Sequence, residues 1–294
     1  MKLLTYIAAL RPYQWTKNLI IFAALMFSKK FLDTSLLLLS IKGFLVFCFL
    51  SGSVYLFNDV IDRHKDKLHP KKKNRPIASG KIKPAEALAV AFLITVVSIF
   101  FAFRLSFRFG LAALSYYVLF FLYSLMLKRI VILDVLTLAI GFVIRAVAGG
   151  LLISVEISDW LLIVTVFLAL FLGFSKRRSE LINLDKKAGE TRPILDLYSV
   201  TLLDQLISIT TAATLMSYAL YTLAEQTIRK FGNNLWLTLP IVVYIVFRYF
   251  YLVYVLGQGS DPAKMLLTDK PLLFSVLVWV AAVFILVYYS LLFG

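Results

Sequence analysis

The sequence predicts an all-α, polytopic integral membrane protein, and three observations predict it. Hydrophobic residues make up 61% of the 294-residue chain and charged residues only 16%, where a soluble domain holds about 45–50% and about 25%. Mean hydropathy is +0.88. The apolar residues gather in runs of about 20, the helix length that crosses a bilayer core. This apolar mass excludes disorder, and a soluble enzyme is not expected.

Nine spans are read in order: 15–33, 36–57, 84–103, 107–126, 130–153, 158–175, 204–224, 235–256 and 272–292. The first is the weakest, because polar residues sit at both of its ends. The fourth and fifth are separated by Leu127, Lys128 and Arg129 alone and form a tight hairpin. Polar stretches at 58–83 and 176–203 interrupt the pattern, as does 257–271 with its Gly257, Gly259, Pro262 and Pro271. No linker divides the chain, so 1–294 is expected to be one transmembrane domain. The lone Cys48 excludes an intramolecular disulfide.

Charge sets the orientation. The net charge is +15. If 58–83 faces the cytoplasm, nine spans place the N-terminus there too. Twenty-two Lys and Arg then lie on the cytoplasmic side and six opposite, with Lys42, Arg145 and Arg248 inside spans. That asymmetry is the positive-inside pattern of a cell-membrane protein. It accounts for the basic loops without a nucleic-acid partner. A homo-oligomer remains open.

Three of the chain's sixteen acidic residues, Asp59, Asp62 and Asp66, fall within eight positions directly after an apolar run. If the second span continues as helix, they sit at i, i+3 and i+7 and share a face. Like charges on one face repel. A hard divalent cation relieves that repulsion, and an oxygen-only set with Asn58 suits Mg²⁺, which takes a few carboxylates plus phosphate oxygens. The bland alternative is pairing with Arg63, Lys65 and Lys67 on a solvated helix end. The following basic run, Lys71 to Arg75, can clamp polyphosphate beside such a metal or hold lipid head groups. Arg75, fixed between Asn74 and Pro76, is the better candidate for a specific contact; His69 is expected to be structural.

The string NDVIDRHKDKLHPKKKNRPIASG at 58–80 resembles the first aspartate-rich motif of the UbiA prenyltransferase superfamily. The resemblance implies nine transmembrane helices around a central cavity whose polar mouth faces the cytoplasm. Typical members carry a second DxxxD motif in the second large cytoplasmic loop. Here that loop reads Lys176-Arg177-Arg178-Ser179-Glu180, with Asp185 further on, and holds no DxxxD. Glu180 and Asp185 are about 140° apart on a helix and do not share a face. With RPYQWTKN at 11–18, LDVLTLAIGFVIRAVAGG at 133–150 and LTDKP at 267–271, the chain resembles the decaprenyl-phosphate phosphoribosyltransferase branch. That branch moves 5-phosphoribose from phosphoribosyl diphosphate (PRPP) to a polyprenyl phosphate, in actinobacteria for cell-wall arabinan.

Both substrates implied by this resemblance are anions, and bringing them together costs Coulomb energy unless cations line the site. Lys17, Lys73, Arg75, Lys128, Arg145, Lys176, Arg177 and Arg178 are the candidate phosphate-binding residues. Arg145 stands out, because a charge inside a span is functional by default. It lies about 16 Å of helix rise from Asp134, too far to pair, so a phosphate or another helix must satisfy it. The expected catalytic carboxylates are Asp59, Asp62 and Asp66, holding Mg²⁺ with Asn58 against the diphosphate leaving group. Tyr123, Asp134, Glu180 and Tyr198 are possible substrate contacts. Two alternatives stand beside this reading. One is prenyl transfer to an aromatic or tetrapyrrole acceptor. The other is a lipid or ion transporter with a structural Mg²⁺, which should show helices interrupted at midplane.

Overall fold

A computed structural model describes residues 2–70, 72–184 and 193–292. Among the described residues the chain is helical, with no strand. Helix α1 (Lys2–Ala9) leads into a 3₁₀ helix (Pro12–Ile21) continued by α2 (Phe22–Phe27). Then come α3 (Thr34–Ile61), the short α4 (Arg63–Leu68), α5 (Pro84–Leu105), α6 (Phe107–Leu125), α7 (Leu133–Leu152) and α8 (Asp159–Leu184). The chain closes with α9 (Val200–Leu223), α10 (Glu225–Phe231), α11 (Leu239–Tyr254), α12 (Pro262–Thr268) and α13 (Lys270–Leu292).

Among the described residues eight helices are long and apolar enough to cross a membrane, and they match eight of the nine expected spans. The exception is 15–33. Gln14, Lys17 and Asn18 put polar groups on successive turns of the 3₁₀ helix, and two of them are spent on protein partners. Gln14 Nε2 donates to Asp261 at 3.1 Å, and Asn18 Nδ2 donates to Ser51 Oγ at 3.3 Å. The segment nevertheless runs the length of the bundle. Arg11 at its start pairs with Asp59 at the end of α3, and beyond its other end the Phe31 N–H donates to Tyr288 Oη near the end of α13. At about 2.0 Å per 3₁₀ residue and 1.5 Å per α residue, Pro12–Phe27 reaches about 29 Å.

The ends of the elements follow local chemistry. Asp33 caps α3 by accepting from the Ser35 and Leu36 N–H groups. Pro84 opens α5, where its missing N–H costs nothing. Ser199 caps α9 and Asp261 caps α12. The second expected span does not continue smoothly through the acidic cluster. The helix stops at Ile61, Asp62 adopts φ −87° and ψ 4°, and Asp66 belongs to α4.

Helix α7 is the centre of the bundle. Its Ala148 and Leu152 join a core with Phe47, Phe109 and Tyr116, and its Val135 and Ala139 join a second core with Phe171, Leu203 and Leu252. Small residues permit this approach on two sides. A side chain at Gly149 would run into the Ile21 backbone carbonyl, so glycine is what seats the first segment against α7. Outside, α5 exposes Phe92, Leu93, Val96, Phe100 and Phe101, an apolar face suited to lipid.

Candidate active site

The alternating direction of the helices brings one end of each long element together. The end of α3, α4, the α6–α7 turn, the end of α8, and α12 surround the mouth of a cavity of about 740 Å³. Asn58, Asp62, Asp66, Arg75, Lys128 and Lys176 line the mouth. Tyr116, Phe120, Leu138, Phe142, Arg145 and Leu172 line the interior.

Each carboxylate of the acidic cluster is held by cations from other segments. Asp59, 2% exposed, pairs with Arg11 and with Arg75 Nη1 at 3.0 Å. The same Nη1 lies 2.7 Å from Asp66. Lys128 Nζ donates to Asp62 Oδ1 at 2.7 Å and to Asn58 Oδ1 at 2.9 Å, while Asn58 Nδ2 donates to Asp62 Oδ2 at 3.0 Å. Burial pushes the Asp66 carboxyl above its ordinary value, against the opposing pull of Arg75.

Among the described residues no three Asp, Glu, His or Cys side chains converge as a ready metal site. The expected set of Asp59, Asp62 and Asp66 on one face is therefore split, because the break at Asp62 divides it and Arg75 and Lys128 take the oxygens. Two oxygen pairs result, Asp59 with Asp66 and Asp62 with Asn58, each closed around a cationic nitrogen. An oxygen-only pair already gathered around positive charge fits Mg²⁺, which takes one or two carboxylates and fills its octahedron with water and phosphate.

The other expected residues divide. Lys17, Tyr123, Lys128, Arg145, Lys176, Arg177 and Glu180 line the cavity. Arg177, 1% exposed, is tied down: its Nε donates to Asp134 at 2.6 Å and its Nη1 to Glu180 at 2.7 Å. Tyr198 donates to the other oxygen of Asp134 at 2.8 Å. Asp134 and Tyr198 thus form a buried brace behind the wall and are absent from the lining. Arg178 turns away from the cavity. Its Nε meets Asp204 at 2.5 Å, and its guanidinium lies 4.0 Å over the Tyr254 ring. Lys73 is exposed and outside the lining. Asp185 lies outside the described residues.

Sequence reasoning assigned no role to Arg11, Tyr55 or Tyr116, all of which line the cavity. The Arg11-Pro12 pair carried a signal: Arg11 takes a left-handed φ of 55° where α1 gives way to the 3₁₀ helix, and its guanidinium lies 4.8 Å over the Tyr55 ring. Nothing in the sequence separates Tyr55 or Tyr116 from the other tyrosines. Neighbouring elements take hydrogen bonds from Arg145 without cancelling its charge: Nε donates to Asn18 at 2.8 Å and Nη2 to Tyr116 Oη at 2.6 Å.

A helical membrane bundle around a charged cavity is the architecture in hand, and its relatives give it a class. Residues 18–265 match the UbiA prenyltransferase family, and the chain belongs to that family of membrane transferases. It is 31% identical to the decaprenyl-phosphate phosphoribosyltransferase of Corynebacterium glutamicum, over 96% of this chain and 86% of that one. It is 28% identical to the enzyme of the same name from Mycolicibacterium smegmatis, over 97% and 92% of the two chains. The fold superposes on a UbiA homolog from Archaeoglobus fulgidus bound to GPP and Mg²⁺. The TM-score is 0.74 and the identity 21%, over 96% of this chain and 99% of that one.

Proposed function

We propose that this protein transfers the 5-phosphoribosyl group of PRPP to the phosphate of a polyprenyl phosphate, releasing diphosphate, for an envelope glycolipid precursor. The observation that carries the reading is the charge of the cavity. Ten Lys and Arg residues line it against four Asp and Glu. A prenyl diphosphate and a neutral acceptor do not call for that excess, whereas two phosphorylated substrates do. The names of its near full-length relatives support the same reading.

In this reading the mouth faces the cytoplasm, which its concentration of basic loops supports, and Pro12–Phe27 makes the ninth crossing. Asp62 with Asn58, and Asp59 with Asp66, would hold Mg²⁺. Mg²⁺ held by those residues would supply charge neutralisation to the diphosphate and so improve it as a leaving group. Arg75 and Lys128, released from the carboxylates, swing to phosphate oxygens. Arg177, fixed by Asp134 and Glu180, braces the end of α8 from which Lys176 reaches the cavity. The lipid phosphate oxygen attacks the anomeric carbon as the bond from that carbon to diphosphate breaks, and diphosphate leaves with the electron pair. The nucleophile is already anionic, so the chain needs no strong general base. The test is transfer of label from ribose-labelled PRPP to a polyprenyl phosphate by purified protein with Mg²⁺. Organic-phase label that disappears with EDTA supports the reading, and label transferred only from a prenyl diphosphate to an aromatic acid overturns it.

A further inference from the structure

The mouth cations and the inner cations differ in one respect. At the mouth, Arg11, Arg75, Lys128 and Arg177 each pair with a carboxylate. Further in, Arg145 is 3% exposed, and its hydrogen bonds go to neutral oxygens: Asn18 Oδ1, the Gly141 carbonyl and Tyr116 Oη. The rings of Tyr116 and Phe142 lie 4.5 and 5.3 Å from its guanidinium carbon, but an aromatic face carries no net charge. Lys17 directly precedes Asn18, the residue that accepts from Arg145 Nε, so the two cations share one stretch of the cavity wall; Asp261 offsets part of the Lys17 charge from beyond ion-pair distance. Among the described residues neither Lys17 nor Arg145 has a carboxylate within 4.0 Å. Two cations on one wall inside a membrane bundle repel each other, and the buried Arg145 is costly to hold there. Arg145 has five N–H groups and spends three of them, leaving two for another acceptor. Both residues line the cavity.

We propose that Lys17 and Arg145 form an inner subsite for a phosphate monoester. This rests on the phosphoribosyl-transfer reading, whose substrates each carry one such group: the 5-phosphate of PRPP and the terminal phosphate of the lipid. The diphosphate is left to the carboxylate-rich mouth. A dianion between the two side chains cancels their repulsion and takes the unspent guanidinium protons, with Asn18 and Tyr116 fixing the plane of the fork.

The test is binding to purified protein in detergent. Ribose 5-phosphate and geranyl phosphate are each titrated against their phosphate-free parents, ribose and geraniol, by calorimetry. Wild type should bind at least one ester over its parent, and Lys17→Met should weaken that binding at least tenfold. Arg145→Gln should do the same, with Arg145→Lys recovering part of it. If Arg145→Gln fails to fold, Lys17→Met decides, since the Lys17 side chain makes no hydrogen bond among the described residues. In turnover, a raised KM for PRPP alone assigns the subsite to the 5-phosphate, and a raised KM for the lipid alone assigns it to the lipid phosphate. Equal binding by Lys17→Met and wild type, or no preference of wild type for either ester, overturns the proposal. Failure of the transfer reading looks different: wild type moves no label from PRPP, yet ester binding still depends on Lys17.

Discussion

The Tyr198 hydroxyl donates to Asp134 Oδ1 at 2.8 Å, across 64 residues of sequence. The same hydroxyl accepts from the Ile132 N–H at 2.7 Å, and Ile132 carries a left-handed φ of 68°. A β-branched residue is strained there. One tyrosine therefore holds a strained turn and the carboxylate that fixes Arg177.

Loss of that brace should be felt in stability before it is felt in chemistry. Tyr198→Phe leaves a buried carboxylate oxygen and a backbone N–H short of a partner, at a cost of about 1–3 kcal/mol. Asp134→Ala leaves Arg177 with Glu180 alone and should cost about 3–5 kcal/mol, the usual loss when one partner of a buried ion pair is removed. Melting in detergent checks both. A Tyr198→Phe protein with unchanged melting would mean that the hydroxyl does not brace the turn.

Asp62 is the carboxylate of the cluster that combines partial exposure, at 23%, with a place on the cavity wall. Asp62→Asn preserves shape and removes charge. It should lower kcat by at least about 100-fold, the scale of removing one electrostatic contact to developing charge. Melting should stay within a few degrees. Wild-type turnover in this variant would remove the proposed metal role.

The acid side of the pH profile should report Asp66. Burial raises its carboxyl above the ordinary carboxylate value. As pH falls, Asp66 therefore takes up a proton before an unperturbed aspartate does. It then loses both its hold on Arg75 and its capacity to ligate a cation. The Mg²⁺ concentration for half-maximal activity should rise as pH is lowered from neutrality, and Asp66→Asn, if active, should flatten that dependence. A metal requirement constant down to the ordinary aspartate range would contradict this.

Position relative to the cavity should divide the basic residues. Lys73 is exposed and lies off the wall, so Lys73→Gln should leave kcat/KM within about twofold. Arg178→Gln breaks the contacts with Asp204 and Tyr254 that tie α8 to α9 and α11. It should lower melting while leaving both KM values near wild type. A large, selective KM change in the Arg178 variant would place it at a substrate.

The close seat of the first segment on α7 gives a steric test. Gly149→Val drives a side chain into the Ile21 carbonyl, which cannot move without shifting the 3₁₀ helix that carries Lys17 and Asn18. Folded yield in detergent should fall sharply. Normal yield and activity would mean that this contact is loose.

Bilayer physics writes itself into local sequence, which is why the membrane class, eight of the long helices and the acidic cluster could be read without coordinates. A span must satisfy its own backbone and cover itself in apolar side chains, so each announces itself over about 20 residues. Asn58, Asp62 and Asp66 are adjacent along the chain and reach the cavity together. Pairing across the bundle has no such local signature. That Arg177 belongs to Asp134, that Arg178 turns to Asp204, and that Arg145 is met by Asn18 across 127 residues depends on how the helices pack around α7. The form of the first segment was likewise hidden, because its polar residues look like weak hydropathy until Asp261 and Ser51 are seen to receive them. Composition counts charges, but only the fold decides which are cancelled by a neighbour and which remain to meet a substrate.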